Sequence, residues 1–446
     1  MAKIEDNIRN RTAKIGVIGL GYVGMPLAMA FAGAGLRVLG FDMQQDKTEA
    51  INRGKPPIPG IDMKRLDSLM HSGFFKASSD MSKLCEADVV CICVPTPVTK
   101  MREPDLSHII HVSREIVLNL RLGGQLIILE SATYPGTTRG LILPILEGEG
   151  LVLDKDFHLA FSPRRVDPGN EKYNLKNIPK LVGGISPAST ALAVLLYEQI
   201  ADRVVAVSSP EVAEMSKIFE DVFRSVNIAL VNEMALLCEK MGVSIWEVIE
   251  SASTKPFGYM PFYPGPGIGG HCLPTDPYYL SNKAREFDFH TRFIELAAEI
   301  NEGMPYRVVE MITQALNKQS KSLKGAKVLV LGVAYKKNSS DIWGSPSLKI
   351  IDLLYGKGAE MSYSDPYIPN INSAAGNLKS VELNSKNLSA ADCIVIATDH
   401  DCFDLEQVAG WSKLIFDTRG VTRKLKGHTN IVRLGENETN KSRRAQ

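Results

Sequence analysis

Apolar and polar positions along residues 13–42 follow the order of a strand, a helix and a second strand. The segment "AKIGVIGLGYVGMPLAMAFAGAGLRVLGFD" has a glycine-rich turn after its first apolar run and ends in an acid. This order predicts a βαβ unit. Gly19, Gly21 and Gly24 have the G-x-G-x-x-G spacing that allows a tight turn, the approach of a pyrophosphate and close helix packing. We therefore predict a dinucleotide site; the alternative is a tight turn in a non-binding α/β domain.

The acid at the end of this unit indicates which dinucleotide is bound. Asp42 follows the second strand, where a carboxylate accepts hydrogen bonds from a ribose diol and repels a 2′-phosphate. No arginine stands beside it in "FDMQQDK". We predict NAD as the cofactor, with NADP the poorer one.

Later apolar runs extend the same sheet. They are "ADVVCICVP", "GQLIILES", "FHLAFSP" and "RVVAVS". Short runs of this kind are typical of buried parallel strands. We predict one parallel sheet in a first, NAD-binding domain over residues 1–207.

A helical pattern of about 30 residues follows, longer than most globular helices. Ser209 can cap it, Pro210 fits its first position and Gly242 supplies a stop. We predict one long helix within a central helical domain, residues 208–321, which also carries the thiol loop defined below. Such helices join domains or form dimer interfaces, so we expect a homodimer.

The strand pattern then restarts. The runs "AKVLVLGVAY", "AEMSYSDP", "ADCIVIATD" and "KLIFDTRG" predict a second α/β domain over residues 322–435. Residues 436–446 are polar and predicted to be disordered. The predicted fold class is α/β, with two doubly wound, Rossmann-like domains joined by the long central helix.

Composition narrows the class of partner. The 446 residues are 44 % hydrophobic and 23 % charged, with 51 Lys and Arg against 50 Asp and Glu. This balance creates no overall field toward nucleic acid or an anionic membrane, so a small-molecule substrate is expected. The N-terminal "MAKIEDNIRNRTAK" lacks an apolar signal region, and no run of about 18 apolar residues occurs. We expect a cytoplasmic protein.

The seven cysteines include one in an unusual setting. No CxxC pair or zinc-like Cys/His spacing occurs, so most are expected to be reduced and structural, and no metal site is predicted. Cys91, Cys93 and Cys393 lie in apolar runs and are expected in the core. Cys272 is instead surrounded by glycines and prolines in "GPGIGGHCLPTD", residues 265–276. We name this segment the thiol loop.

Charged and polar side chains elsewhere in the sequence lie on the predicted long helix or directly after predicted strands. Lys217, Asp221 and Arg224 are spaced i, i+4 and i+7 and share one face of the long helix. Such a stripe is commonly a solvated face. However, Thr133 in "LESATYPGTT" and the segment "FSPRRVDPGN" each follow a strand, at the edge where doubly wound folds bind ligands. We expect these groups and the thiol loop to meet in a cleft between the domains.

Eight motifs along the chain carry a resemblance to a known family. They are "GLGYVGMPLA", "VPTP", "ESATYPGTT", "SPRRVDPGN", "VNIALVNE", "GPGIGGHCLPTDPYYL", "TRFIELAAEIN" and "LGVAYKKN". In order and spacing the chain resembles the UDP-glucose/GDP-mannose dehydrogenase family of nucleotide-sugar 6-dehydrogenases, most closely the UDP-N-acetylglucosamine branch, over essentially its whole length.

The resemblance implies two successive hydride transfers to NAD, which take C6 of a UDP-sugar from primary alcohol through aldehyde to carboxylate. Cys272 is then the nucleophile of a thiohemiacetal and a thioester that water hydrolyses. Lys217 stabilises oxyanions at C6, and Thr133 and Asp276 position water or substrate. His271 would favour the thiolate if it were protonated and directed at the sulfur.

The same resemblance implies ligand-binding residues, with the UDP half in the C-terminal domain. Cofactor contacts are expected at Gly19, Gly21, Tyr22, Val23, Gly24, Asp42, Val94, Pro95, Thr96 and Thr133. Substrate contacts are expected at Arg164, Arg165, Val166, Lys217, Tyr259, Gly269, Arg292, Tyr335 and Lys336. The catalytic set is Cys272, Lys217, Thr133, Asp276 and Asp221. Tyr259 and Arg292 are chosen by position, and packing roles are the alternative for the substrate residues of the last two domains.

Three positions depart from the family pattern. Arg164 stands where the family has a Glu that serves as general base in thioester hydrolysis. Asp221 stands where the helix has an Asn. Trp343 and Gly344 in "SDIWGSP" replace an Arg–Glu pair expected to help hold ligands. Nucleotide-sugar affinity and full turnover therefore need separate tests.

Arginine stays protonated near neutral pH and cannot replace the base. We expect Arg164 to pair with Asp221, so that water activation passes to Asp276, Asp167 or Asp221, or hydrolysis is slow. Two other interpretations stay open: a degenerate homologue that binds NAD and nucleotide sugar without full turnover, and a two-electron dehydrogenase that uses lysine without a thiol intermediate. The sugar is glucose, N-acetylglucosamine, N-acetylgalactosamine or N-acetylmannosamine, with N-acetylglucosamine favoured.

Overall fold

The computed structural model describes residues 2–55, 58, 61–99, 102–121, 123–166, 170 and 172–436. They divide into two units. One runs to Glu220 and includes Tyr278–His290, and the other comprises Asp221–Pro277 and continues from Thr291. The predicted disordered tail, 436–446, lies outside the described residues except for Glu436.

The first unit contains an eight-stranded sheet. Its strands are β1 (Lys14–Ile18), β2 (Arg37–Phe41), β3 (Phe75–Ser78), β4 (Val89–Ile92), β5 (Gln125–Leu129), β6 (Phe157–Phe161), β7 (Lys180–Gly184) and β8 (Val204–Ala206). Their order across the sheet is β3-β2-β1-β4-β5-β6-β7-β8. β4, β5 and β6 are buried at every position, as expected of strands covered on both faces.

The strand β7 corrects the prediction of a wholly parallel sheet. It runs antiparallel to β6, with Ala160 opposite Gly184 and Phe161 opposite Gly183. The sequence pattern missed it because "KLVGG" has two glycines and a lysine in five positions and no apolar run. A side chain at Gly183 would overlap the carbonyl oxygen of Ser209, so the glycine allows a close passage of the chain.

Helices flank the first sheet and complete two apolar cores. They are α1 (Ala2–Arg9), α2 (Gly24–Gly33), α3 (Gln45–Asn52), α4 (Met63–His71), α5 (Ser107–Leu118), α6 (Leu143–Gly148) and α7 (Pro187–Tyr197). Alternate residues of β4 belong to opposite cores, with Cys91 in one and Val90 and Ile92 in the other. The predicted core positions of Cys91 and Cys93 are confirmed by their burial.

A buried ion pair fixes the segments that follow β5 and β6. Lys180 Nζ, at the start of β7, donates to Glu130, the residue after β5, at 2.7 Å. Tyr197 on α7 donates its hydroxyl proton to the same carboxylate, and Lys180 also donates to the Pro163 carbonyl at 3.2 Å. Removing one member of such a pair costs about 3–5 kcal/mol, because a buried charge is left uncompensated. The segments that follow β5 and β6 are thereby held together where they leave the sheet.

The predicted long helix is confirmed as α8 (Pro210–Met241), with 32 residues. Ser209 Oγ accepts a hydrogen bond from the Val212 N–H at 3.4 Å. Gly242 follows with a φ of 71°, the left-handed conformation that ends helices.

The two faces of α8 reverse the usual amphipathic pattern. Glu214, Asp221, Ser225 and Asn232 are at most 9 % exposed and lie on one face, which we name the polar stripe. Large exposed apolar side chains form a second face, the apolar stripe: Val212, Met215, Phe219, Phe223, Leu230, Met234, Leu237 and Met241. A helix normally buries its apolar face, so the exposed apolar stripe needs an explanation beyond the packing of one chain.

The second unit contains a five-stranded parallel sheet and a hairpin. Its strands are β9 (Lys327–Leu331), β10 (Glu360–Ser364), β11 (Asn370–Ser373), β12 (Gly376–Lys379), β13 (Cys393–Ile396), β14 (Ile415–Asp417) and β15 (Ile431–Arg433). The sheet order is β10-β9-β13-β14-β15, and β11 pairs with β12. Four of the five sheet strands match the predicted runs, whereas β15 and the hairpin are short or polar and carry no such signal.

Six further α-helices follow α8 in the described residues. They are α9 (Ile245–Ala252), α10 (Asp276–Arg285), α11 (Arg292–Lys318), α12 (Pro346–Gly356), α13 (Ser385–Ala390) and α14 (Leu405–Trp411). No helix within the described ranges combines the length and the hydropathy needed to cross a membrane.

Candidate active site

The turn between β1 and α2 is tight and open on one side. Gly19 has a φ of 93°, and a Cβ there would lie 2.6 Å from the Cys93 carbonyl oxygen. A Cβ at Gly24 would overlap the Gly19 carbonyl oxygen, whereas one at Gly21 would meet nothing within 4 Å. The turn therefore leaves room at Gly21 in front of the α2 N-terminus, which fits the pyrophosphate of a dinucleotide.

Asp42 lies beside this turn and has a partner that the sequence interpretation missed. Its carboxylate accepts hydrogen bonds from the Leu20 N–H at 3.1 Å and from Lys47 Nζ at 2.5 Å. The available signal was a lysine in the first turn of α3, five residues after the acid. Because a lysine also attracts phosphate, the predicted discrimination against a 2′-phosphate rests on Asp42 alone of these two side chains.

The ends of β4 and β5 form one hydrogen-bonded edge. Ser131 Oγ donates to the Val94 carbonyl at 2.7 Å, and Thr96 Oγ1 donates to the Ala132 carbonyl at 2.7 Å. The Tyr279 hydroxyl donates to the Thr96 carbonyl. The motifs around Val94 and Thr133, separated in sequence, are thus brought together at the carboxyl edge where ligands bind.

Thr133 continues into a turn that Glu214 holds. Thr133 Oγ1 lies 2.6 Å from Thr137 Oγ1. Residues 134–138, which we name the threonine turn, reach the Glu214 carboxylate through the Gly136 N–H at 2.6 Å and the Thr138 N–H and hydroxyl at 2.9 and 2.7 Å. Burial raises the pKa of Glu214 to about 7, although these hydrogen bonds oppose the shift. Sequence interpretation missed Glu214, whose only signal is an acid one turn before Lys217.

The segment after β6 is held by a second acid of α8. Arg165 donates to the Glu220 carboxylate at 3.2 and 2.7 Å and to the Pro179 carbonyl at 2.8 Å. Arg164 and Val166 are partly exposed beside it, and Asp167 lies outside the described residues. Because the Arg165 guanidinium is already bonded within the protein, its predicted contact with substrate stays a prediction.

The thiol loop lies against the segment that follows β9. The Gly270 N–H donates to the Trp343 carbonyl at 2.9 Å. A Cβ at Gly269 would lie 2.7 Å from Tyr335 Cβ, and one at Gly270, where φ is 99°, would lie 3.1 Å from the Tyr335 ring. Glycine at both positions is therefore required for this close approach.

The start of the thiol loop is bonded to the polar stripe of α8. Asn232 Oδ1 accepts from the Gly265 N–H at 3.0 Å, and Asn232 Nδ2 donates to Asn301 Oδ1 at 3.0 Å. Asn301 Nδ2 donates to the Ser225 carbonyl at 3.0 Å. These buried amides satisfy one another, so the loop start and α11 are held to α8 in one arrangement.

Cys272 lies among carboxylates. The Cys272 sulfur and one carboxylate oxygen each from Asp221 and Asp276 lie within 4.8 Å of one another. The Asp276 N–H donates to the Cys272 carbonyl at 2.8 Å, and Asp276 begins α10. A thiol beside two carboxylates has a nucleophile and two proton acceptors. Zinc also accepts this donor set, so the absence of a metal site stays a prediction.

The His271 side chain contacts the segment that follows β9. Its Nε2 lies 2.9 Å from Asp341 Oδ2, and its ring stacks on Trp343 at 5.4 Å between centroids and 9° between planes. Burial raises the pKa of Asp341, but hydrogen bonds from His271 and the Trp343 N–H, with the charge of Lys336, lower it below its ordinary value. Trp343, a departure from the family pattern, thus contacts the residue next to the thiol.

The remaining substrate candidates fall into two groups. Lys336 Nζ lies 5.8 Å from the centre of the Tyr335 ring. Tyr335 is the residue that packs against Gly269 and Gly270 of the thiol loop. Tyr259 and Arg292 are exposed, so neither packs in the core of the chain. Their ligand contacts stay predictions.

Comparison with known proteins assigns the class. Three domains of the UDP-glucose/GDP-mannose dehydrogenase family match: NAD binding at residues 13–201, central at 211–303 and UDP binding at 329–424. A UDP-N-acetyl-D-mannosamine dehydrogenase of Pyrococcus horikoshii is 36 % identical, over 92 % of this chain and 96 % of its own. A UDP-N-acetyl-D-glucosamine 6-dehydrogenase of Pseudomonas aeruginosa is 33 % identical, over 87 % and 91 %.

Solved structures agree with this class. The structure of the UDP-D-ManNAc dehydrogenase from Pyrococcus horikoshii has a TM-score of 0.86 and 34 % identity, covering 95 % of this chain and 99 % of its own. The fold and its domains define an NAD-dependent oxidoreductase that acts on a UDP-sugar. The chain belongs to the UDP-glucose/GDP-mannose dehydrogenase family, and its activity is that of an NAD-dependent UDP-sugar 6-dehydrogenase.

Asp42 gives a prediction about cofactor choice. In the unaltered protein we expect kcat/KM for NAD to exceed that for NADP. Asp42→Ala should lower kcat/KM for NAD by about tenfold, since a charged hydrogen bond is lost, and raise it for NADP because Lys47 is freed for a phosphate. Steady-state kinetics with both cofactors measure this, with the exposed Asp46→Ala as control. Equal kcat/KM for NAD and NADP in the unaltered protein would remove the role of Asp42.

Proposed function

We propose that the protein oxidises C6 of a UDP-N-acetylhexosamine to the uronic acid through a covalent intermediate on Cys272. The observation that supports this most is the thiol with two carboxylates within 4.8 Å, on a loop whose glycines allow its close packing. UDP-N-acetylglucosamine is the first expected substrate. UDP-N-acetylmannosamine is the alternative, because relatives with these two names are 33 % and 36 % identical to the chain.

The bound NAD supplies the hydride acceptor for both oxidation steps. Between them, the Cys272 thiol adds to the C6 aldehyde: a carbon–sulfur bond forms, and the thiol proton passes to the aldehyde oxygen. Removal of a hydride and a proton from this thiohemiacetal leaves the thioester. Water then attacks the thioester carbon, the carbon–sulfur bond breaks, and the carboxylate and free thiol are released. Lys217 is proposed, from the resemblance to the family, to stabilise the negative oxygen of these steps.

Asp221 and Asp276 are proposed to accept the proton of the attacking water. Both offer a carboxylate oxygen within 4.8 Å of the sulfur. An arginine does not serve as the base of such a step, and we assign Arg164 instead to an ion pair with Asp221, as expected from the sequence. The Asp276 carboxylate also accepts a hydrogen bond from the Thr275 hydroxyl at 3.2 Å, so replacing it would disturb the end of the thiol loop as well. Asp221 is therefore the better residue to test.

Cys272→Ser should abolish acid formation, lowering the rate about 10³-fold or more because no thioester forms. The measurement is NADH formed per sugar consumed with UDP-glucose, the three UDP-N-acetylhexosamines and GDP-mannose. We expect two NADH per sugar with a UDP-N-acetylhexosamine. Cys402→Ser, at an exposed free cysteine, is the control and should keep the parent rate.

The other outcomes identify the alternatives. No NADH with any sugar would indicate a binding homologue, and one NADH per sugar a two-electron or stalled reaction. Uronic acid formed at the parent rate by Cys272→Ser would refute the covalent scheme.

Asp221→Asn should slow thioester hydrolysis about 10²-fold or more, the usual effect of losing a general base. Acid quenching followed by mass measurement of the intact protein should show the sugar adduct. We expect some adduct in the parent, more in Asp221→Asn, and faster acid release in the double variant Arg164→Glu, Asp221→Asn, which restores a carboxylate elsewhere. An absence of adduct in the parent, with no faster turnover of the double variant, would mean that another group already activates the water.

We also propose a homodimer through the apolar stripe of α8. The stripe runs from Val212 to Met241, about 45 Å at 1.5 Å per residue. A row of large apolar side chains of this length is more than a monomer usually exposes. A second copy of α8 presents the same row, so two stripes can cover each other about a two-fold axis.

Leu230→Arg should weaken the dimer, because it places a charge within the stripe. We expect the unaltered protein to sediment at twice the chain mass and Leu230→Arg at the chain mass at the same micromolar concentration. Leu118→Arg, at an exposed leucine of α5, is the matched control and should stay dimeric. A monomeric parent, or a dimeric Leu230→Arg, would refute this interface.

A further inference from the structure

We propose that Glu214 is a positioning residue that anchors the threonine turn, and through it Thr133, to helix α8. The functional part rests on the proposed function, because it takes Thr133 as a group of the reaction. The anchor itself rests on geometry within one unit of the protein.

The contact is built from three hydrogen bonds to both carboxylate oxygens. One oxygen accepts the Gly136 N–H at 2.6 Å, and the other accepts the Thr138 N–H at 2.9 Å and hydroxyl at 2.7 Å. Glu214 and Thr138 are completely buried. Three bonds at two oxygens fix both the distance of the turn from α8 and its rotation.

The turn carries this constraint to Thr133. Thr137 stands between the two anchored residues, donates its hydroxyl proton to the Tyr134 carbonyl at 2.8 Å, and lies 2.6 Å from Thr133 Oγ1. Lys217 follows Glu214 by three residues on α8. One acid therefore sets the register between the strand end that carries Thr133 and the helix that carries Lys217.

Simple packing does not explain an acid at this position. A buried carboxyl loses its hydration, and an apolar side chain would fill the space without that loss. Among its charged neighbours, Glu211 on α8 adds repulsion, while Arg139 is paired with Glu211 at 2.6 Å. Lys283 lies over the Tyr134 ring and is paired with Glu286. What the carboxyl gains is the three bonds to the turn.

Titration of Glu214 provides a signature for the anchor. Burial raises its pKa from 4.5 to about 7. A neutral carboxyl keeps all three contacts, because its O–H can donate to the Thr138 hydroxyl while the oxygens accept both N–H groups. Because the pKa of Glu214 is raised while the turn is bonded to it, low pH favours the bonded turn over a released one. The anchor is therefore strongest below about pH 4.5 and weakens as pH rises through about 7.

Hydrogen exchange of the turn amides tests the anchor without substrate. In Glu214→Gln the amides of Gly136 and Thr138 should exchange about tenfold faster, since the amide side chain cannot accept all three bonds. The unaltered protein should lose protection there between pH 6 and 8.5, after correction for intrinsic exchange, whereas Glu214→Gln should show no such change. Glu233→Gln, at an exposed acid of α8 distant from the turn in sequence, is the control.

Kinetics test the positioning role. Glu214→Gln should lower kcat for the UDP-sugar about tenfold while KM changes less than about threefold, because alignment of reacting groups is lost and binding is kept. If Glu214→Gln does not fold, Thr138→Val removes one bond at an isosteric residue, and Thr138→Ser should restore both protection and kcat.

The outcomes separate the two proposals. Equal exchange of the turn in the parent and in Glu214→Gln, or in Thr138→Val, would refute the anchor whatever the activity. Faster exchange with unchanged kcat would refute positioning and leave a structural contact. If no UDP-sugar is oxidised by the parent, the proposed function fails and with it the catalytic role, while the exchange result still decides the anchor.

Discussion

Four buried polar side chains on one face of α8 are the constraint on which the segments of the candidate active site depend. Glu214 holds the threonine turn, Ser225 and Asn232 hold α11 and the start of the thiol loop, and Asp221 lies beside the thiol. A buried polar group left without its partner costs about 1–3 kcal/mol. Each contact lies within one unit: the first part of α8 holds the threonine turn, and its later part holds the start of the thiol loop.

The apolar stripe of α8 is the counterpart of this arrangement. The polar side chains of α8 face inward and bond to the threonine turn and the thiol loop. The apolar side chains, which in most helices pack in the core, are therefore exposed. The proposed homodimer would give them a partner, and it would make the geometry of the polar stripe depend on assembly. In this protein the helix is thus both an internal scaffold and the proposed interface.

The thiol loop shows how departures from a family pattern are absorbed. Trp343 stacks on His271, and its carbonyl accepts from Gly270, so the segment with the altered residues supports the loop next to Cys272. Asp221 places a carboxylate near the sulfur. An anion there opposes an oxyanion but can accept a proton from water. The altered residues are therefore compatible with turnover in which hydrolysis uses a different carboxylate.

Much of the fold could be predicted because it depends on neighbours in sequence. Apolar runs of four or five residues gave β4, β5 and β13, and the cap, proline and glycine signals gave the ends of α8. The spacing of Gly19, Gly21 and Gly24 predicted the dinucleotide turn. The glycines around Cys272 marked an unusual loop. Each of these signals comes from steric or hydrogen-bonding needs that act within a few residues.

The tertiary structure decided what depends on distant partners. Three features carry only weak signals in the local sequence. They are the antiparallel course of β7, the buried pair of Glu130 and Lys180, and the contact of Glu214 with the threonine turn. The contact of Glu214 with the turn joins residues that are 78 positions (Gly136) and 76 positions (Thr138) apart in the sequence. A lone acid or lysine in a sequence is most simply interpreted as a solvated charge. Only the fold removes such groups from water and places them beside each other. Once they are buried, the loss of one partner leaves the other without a hydrogen bond and destabilises the fold, although the same residue on the surface could be replaced at little cost.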